Sequence, residues 1–148
     1  MKLIIDIGNT KAKLALFSGK KIISKKILNQ CTFKLVKDFV SDAEITSSII
    51  SSVKDFNNDV THISNYYNSI ILTHNTQIPI NNLYKTPETL GNDRIALVVG
   101  ANFLYPKKDV IIIDAGTCIT IDFLNKRAEY LGGRISPGIN MRFKSLNT

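Results

Sequence analysis

An apolar run ending in aspartate, then glycine and threonine, occurs twice in this chain. The first copy is Ile4-Ile5-Asp6-Ile7-Gly8-Asn9-Thr10 and the second is Ile112-Ile113-Asp114-Ala115-Gly116-Thr117. Glycine has no Cβ, so backbone N–H groups at Gly8 and Gly116 can close on phosphate oxygens. The Thr10 and Thr117 hydroxyls and the Asn9 amide add further donors. A carboxylate repels phosphate but can hold Mg²⁺ or its waters, and the metal then bridges to a nucleotide. Two such turns facing a common cleft would clamp one polyphosphate. Asp-x-Gly alone is ordinary turn chemistry; its duplication after two strand-like runs is what favours phosphate or metal binding. A third constellation, Gly91-Asn92-Asp93-Arg94, sets a carboxylate beside a guanidinium at the start of a helix, where free N–H groups attract anions. Asp93 could accept the proton of an alcohol there while Arg94 binds an acidic group. The plain structural alternative is an N-capping aspartate next to an exposed arginine.

The elements that must position these residues can be read from periodicity. Residues 2–7 and 11–17 alternate as a hairpin, and 20–28 follow as a third strand after Ser18-Gly19. The second copy repeats this, with Ala12, Leu14 and Leu16 matched by Ile119, Ile121 and Phe123. From Thr32 the period changes to that of a helix, with Phe33, Val36 and Val40 on one face and Thr32 as its cap. A buried strand is expected within 44–53, a short helix over 59–67 and a strand over 69–72. A helix should start near Asn92 or Asp93 and stop before Pro106. Residues 110–114 open the second hairpin, 130–138 supply a strand and a glycine-rich turn, and a helix begins near Ile139. This order predicts an α/β fold of two ribonuclease-H-like lobes, 1–106 and 107–148, divided at Tyr105–Asp109. The second lobe would hold only its opening strands.

Composition narrows the class. With 148 residues and 44% hydrophobic content, the chain can bury a real core. No apolar run is long enough to span a membrane, and Asp6 interrupts the first one too early for a signal peptide, so a cytoplasmic protein is expected. Cys31 and Cys118 stand far apart without a Cys/His cluster, as ordinary reduced thiols do. The net charge of +7 raises nucleic acid as a partner. Its lysines are scattered, however, without an arginine-rich helix or interleaved aromatics, so we expect no nucleic-acid partner.

Taken together, Asp6–Thr10, Thr86–Arg94, Asp114–Thr117 and Gly132–Gly138 resemble, in order and spacing, the successive motifs of type III pantothenate kinases. The resemblance runs from Met1 to about Asn147. It implies the acetate-and-sugar-kinase, Hsc70 and actin superfamily fold, and ATP-dependent phosphorylation of pantothenate in the first step of coenzyme A synthesis. Carried across by motif, Asp93 corresponds to the general base, and Tyr84, Gly91 and Arg94 to the pantothenate pocket. Asp6, Gly8, Asn9 and Thr10 match the first phosphate motif, with Asp6 reaching Mg²⁺ through water. Asp114 matches the holder of a monovalent cation, potassium or ammonium. Thr117, Thr120 and Lys13 are weaker candidates for phosphate contact, and Gly132, Gly133, Pro137 and Gly138 would shape the pocket floor. The resemblance also implies a homodimer. Members of the family extend further, so a truncated chain of uncertain competence is expected. Two other readings remain at this point: a kinase of the same superfamily acting on a sugar or acetate, and a non-catalytic accessory protein that keeps the fold.

Overall fold

The parallel strand Ser47–Ser52 explains how the opening hairpin becomes part of a larger sheet: it joins Lys2–Ile7 on the edge that the hairpin leaves free. The computed structural model describes residues 1–55 and 57–146. They form two units, Met1–Thr76 and Gln77–Thr148. In the first unit, β1 (Lys2–Ile7), β2 (Ala12–Ser18), β3 (Lys21–Leu28), β4 (Ser47–Ser52) and β5 (Ile70–Ile71) form a sheet in the order β3-β2-β1-β4-β5. The pairs β1–β2 and β2–β3 are antiparallel, whereas β4 is parallel to both β1 and β5.

Helices α1 (Phe33–Val40) and α2 (Asn58–Tyr66) supply the two crossovers that parallel pairing requires. Thr32 Oγ1 accepts from Leu35 N at 3.4 Å and Asn57 Oδ1 from Val60 N at 3.0 Å, capping the two helices. Asp59 Oδ1 also accepts from Phe33 N at 2.9 Å, so the first turn of α2 ties down the start of α1. Val36, Val40, Val60 and Ile63 share one apolar core with Leu3, Ile5, Ile7, Ala12, Leu14 and Leu16. Burying side chains of this size contributes roughly 1.5–3 kcal/mol each.

In the second unit, β6 (Asn81–Asn82), β7 (Val110–Ala115), β8 (Cys118–Leu124) and β9 (Glu129–Pro137) lie in the order β6-β9-β8-β7. A 3₁₀ turn at Pro87–Thr89 leads into α3 (Asn92–Leu104), and α4 (Ile139–Ser145) follows β9. α3 packs on β7 and β8. This contact puts the division of the chain between Thr76 and Gln77 rather than at the Tyr105–Asp109 boundary expected from sequence. The helix expected in the first lobe is the cover of the second sheet. Positions 147 and 148 of the expected second lobe lie outside the described residues. Among the described residues, no helix is long and apolar enough to cross a membrane.

The second sheet also differs from the first in the strand that delivers its aspartate. In β1, Leu3 and Ile5 are fully buried; their counterparts in β7, Ile111 and Ile113, are 67% and 65% exposed. In β8 the buried row is Thr120, Asp122 and Leu124 rather than Ile119, Ile121 and Phe123. The reason is α3: Arg94, Ile95, Val98 and Ala101 are its buried residues, and Arg94 bonds to Asp122. The helix therefore covers the face that carries Asp122.

Candidate active site

Asp6 sits at the end of β1 opposite Lys13 of β2. The Lys13 ammonium donates to the Asp6 carboxylate at 3.4 Å, although the lysine side chain is 65% exposed. Such an open pair is worth little and leaves the lysine free to move. Ser51 of β4 is the other neighbour of Asp6 in the sheet. Its buried hydroxyl has no hydrogen-bond partner among the described residues. A carboxylate beside an unsatisfied hydroxyl is the type of oxygen donor set that a hard divalent cation or its waters accept. The Gly8 turn is closed by donation from Gly8 N to Lys11 O at 3.0 Å. A cavity of about 340 Å³ opens beside it, lined by Gly8, Thr10, Lys11 and the opposing Asn29, Ser52 and Lys54. Asn9 lies exposed on the same turn.

Cys31 borders the same cavity. Burial, with the nearby Asp59 carboxylate adding to it, pushes the Cys31 thiol up to about 11, so it is no nucleophile near neutral pH. A larger cavity of about 480 Å³ opens at the other end of β4 beside Tyr66 and Tyr67, and none of the sequence-predicted site residues lines it.

In the second unit Asp114 pairs across the ladder with Thr120, one same-face step from the Ile112–Asp122 pair. Asp114 therefore lies on the face that α3 covers. The Gly116–Thr117 turn is tighter than the first, with Gly116 N donating to Cys118 O at 2.9 Å. Gly138 crosses it: its N–H donates to Thr117 O at 3.0 Å, and a Cβ there would stand 2.4 Å and 2.5 Å from the Thr117 and Gly116 carbonyl oxygens. Carbonyl and carboxylate oxygens side by side suit an alkali cation. Among the described residues no three His, Cys, Asp or Glu side chains gather into a metal cluster.

Asp93 occupies the first turn of α3, where an acidic side chain complements the helix dipole. Its Oδ1 accepts from Arg94 N at 2.8 Å, folding the carboxylate back over the helix end. A Cβ at Gly91 would lie 2.5 Å from that oxygen, so glycine at this position is what leaves the carboxylate its place. The neighbouring residue differs from the open guanidinium that the sequence suggested. Arg94 is buried and donates from Nε and Nη2 to the buried Asp122 carboxylate, with Nη2 at 2.5 Å. Its guanidinium lies over the ring of half-buried Tyr84, 5.4 Å from the centroid. The bond to Asp122 holds Arg94 even more firmly protonated than usual. Tyr130 donates its hydroxyl to Asp122 Oδ1 at 2.6 Å, and burial followed by that carboxylate pushes its phenol well up.

Within the second unit, then, Gly91, Asp93, Arg94 and Tyr84 adjoin one another and Asp114 lies on the face that α3 covers, while Asp6, Gly8, Asn9, Thr10 and Lys13 belong to the first. Asp122, Tyr130 and Ser51 were missed by motif reading. A signal for Asp122 was present: a carboxylate in an alternating row between Thr120 and Leu124 requires a cationic partner if that row is inward.

The comparisons agree with the four motifs. The sequence profile of the type III pantothenate kinase family matches residues 2–148. A type III pantothenate kinase of Phocaeicola vulgatus is 46% identical over 152 residues, covering 99% of this chain and 62% of the relative. The chain thus spans less than two thirds of the length of such relatives. Among solved structures, a conserved putative Baf family transcriptional activator from Campylobacter jejuni superposes with a TM-score of 0.57 at 26% identity, covering 97% of this chain and 58% of that one. The activator of 2-hydroxyisocaproyl-CoA dehydratase from Clostridium difficile, solved with bound ADPNP, gives 0.52 at 14% identity, covering 92% and 45%, a likeness of fold alone. A putative 2-dehydro-3-deoxygalactonokinase from Sinorhizobium meliloti gives 0.51 at 10% identity, covering 91% and 54%, again a likeness of the α/β fold alone. With the profile matched along nearly the whole chain and its glycine turns, Asp93 and Arg94 placed as described, the chain belongs to the type III pantothenate kinase family.

Proposed function

We propose that the protein phosphorylates pantothenate on its primary hydroxyl with ATP as donor, giving 4'-phosphopantothenate for coenzyme A synthesis. The observation that carries this reading is the Asp93 carboxylate, folded over the first turn of α3 in the space that Gly91 leaves open. Asp93 orients the alcohol and takes its proton as the oxygen attacks the γ-phosphorus; the bond from that phosphorus to ADP breaks, and ADP leaves. The family match and the 46% identical relative support pantothenate as acceptor. Tyr84 and Arg94 hold its acidic end, and Gly91 lets the chain approach it.

The Gly8 turn, with Asn9, Thr10 and the exposed ammonium of Lys13, supplies donors for phosphate, and the Thr117 hydroxyl is a further donor. Mg²⁺, when bound, neutralises the charge that builds on the transferring phosphate. Asp6 with Ser51 would hold its waters, and Asp114 with the neighbouring turn carbonyls would hold potassium or ammonium. ATP and a coenzyme A precursor as substrates place the reaction in the cytoplasm, and the family resemblance adds a homodimer. The test is pantothenate-dependent release of ADP in the presence of Mg²⁺ and potassium. Wild-type protein should turn over and Asp93→Asn should lose about 10²–10⁴-fold in kcat. Unchanged turnover in Asp93→Asn would remove Asp93 from the reaction.

A further inference from the structure

The first turn of α3 is fastened by a junction that none of the four motifs announces. The Asp122 carboxylate, with no exposed side-chain surface, receives Nε of Arg94 at 3.2 Å on both oxygens, Nη2 at 2.5 Å and the Tyr130 hydroxyl at 2.6 Å. Tyr84 and Tyr130 lie nearly parallel, 6.0 Å apart and 7° from coplanar orientation, and the guanidinium rests over Tyr84. Gly132 makes room for that ring: its φ is +96°, and a Cβ there would stand 3.0 Å from Tyr84 Cδ2. A planar fork bonded along its Nε–Nη2 edge and covered on one face has little rotamer freedom left to lose when a ligand arrives. Its Nη1 end is the one that Asp122 does not take.

We infer that Asp122 and Tyr130 are positioning residues for acceptor recognition: they fix the Arg94 fork so that Nη1 meets a carboxylate at one end of an acceptor whose hydroxyl lies at Asp93. The inference rests on the proposed phosphotransferase reading of this site. Asp122 also neutralises the charge of Arg94, so preference for an acidic acceptor comes from a directed hydrogen bond more than from net attraction. A junction that only anchored α3 would make no distinction between charged and neutral acceptors.

Tyr130→Phe separates the two roles, because the ring and its stack on Tyr84 remain while the donor to Asp122 is lost. The acceptors to compare are pantothenate and pantothenol, in which a neutral hydroxymethyl replaces the carboxylate. In Tyr130→Phe the preference for pantothenate in kcat/KM should fall about tenfold. The fall should appear in the KM for pantothenate, with the KM for ATP and the turnover of pantothenol changed less than about twofold. Arg94→Lys keeps the charge without the fork and should lower the ratio at least as far. In that background Tyr130→Phe should add nothing, as coupling through one side chain requires. An unchanged ratio, equal weakening of both acceptors, or an undiminished effect in Arg94→Lys overturns the inference. Wild-type protein that phosphorylates neither acceptor overturns the phosphotransferase reading instead, and calorimetric titration of both acceptors on the same variants then reads the ratio without turnover.

Discussion

The hairpins β1–β2 and β7–β8 carry nearly the same phrase and use it differently. In the first, Leu3, Ile5 and Ile7 turn inward beneath α1 and α2, and Asp6 stands on the opposite face beside an exposed lysine. In the second, Ile111 and Ile113 are exposed, and the face of Asp114 is the one covered, by α3. The turns differ as well: Ile7 pairs with Ala12, whereas Ala115 pairs with Ile119, one residue sooner. A strand can offer either side to a core because its side chains alternate. The choice belongs to the helix that packs on it. The first hairpin consequently presents an accessible aspartate on a solid core. The second places its acid beside a buried network of Arg94, Asp122 and Tyr130, where polar partners must all be satisfied.

Removing one partner of that network should produce the largest effect. Asp122→Ala leaves a guanidinium buried without its anion and should cost about 3–5 kcal/mol, read by urea denaturation of the second unit. A change below 1 kcal/mol would mean that water reaches Arg94. The paired isoleucines give the sharpest contrast between the hairpins. Ile5→Ala should cost about 2–5 kcal/mol and Ile113→Ala under about 0.5 kcal/mol, and equal losses would show that the second face is covered in solution. Gly91→Ala tests the active-site geometry separately from the fold. The new methyl displaces the Asp93 carboxylate, so kcat should drop about 10²-fold while the melting temperature holds within a few degrees. The smallest effect concerns Cys31. With its thiol raised from 9.0 to about 11, the thiolate fraction at pH 8 falls about a hundredfold below that of an unburied thiol. Iodoacetamide labelling should be correspondingly slow and should accelerate only as pH rises toward 11. Because the thiol titrates later in the folded state, its contribution to stability is complete below pH 9 and is lost progressively as pH rises from 9 through about 11.

Much of the molecule could be read locally. The switch from a period of two to 3.6 at Thr32, the stop before Pro106 and the glycine turns are short-range features, and the helices and strands fall close to where those features put them. Four motifs in order were enough to indicate the family, since each constrains a backbone position or a charge at a fixed spacing. The unit boundary was less legible. Pro106 ends a helix whether that helix packs forward or backward, and only contact with β7 and β8 assigns α3 to the second unit.

What the chain determined by itself was therefore the set of elements, the two Asp-x-Gly turns and the placement of Asp93 one residue before Arg94, because these depend on backbone preference and on spacing along a single segment. What tertiary structure alone decided was which face of each hairpin became core, and that Arg94 would meet Asp122 and Tyr130 from β8 and β9. Those contacts join residues far apart in sequence, and a buried charge chooses its partner by the geometry of packing and by the cost of being left without one.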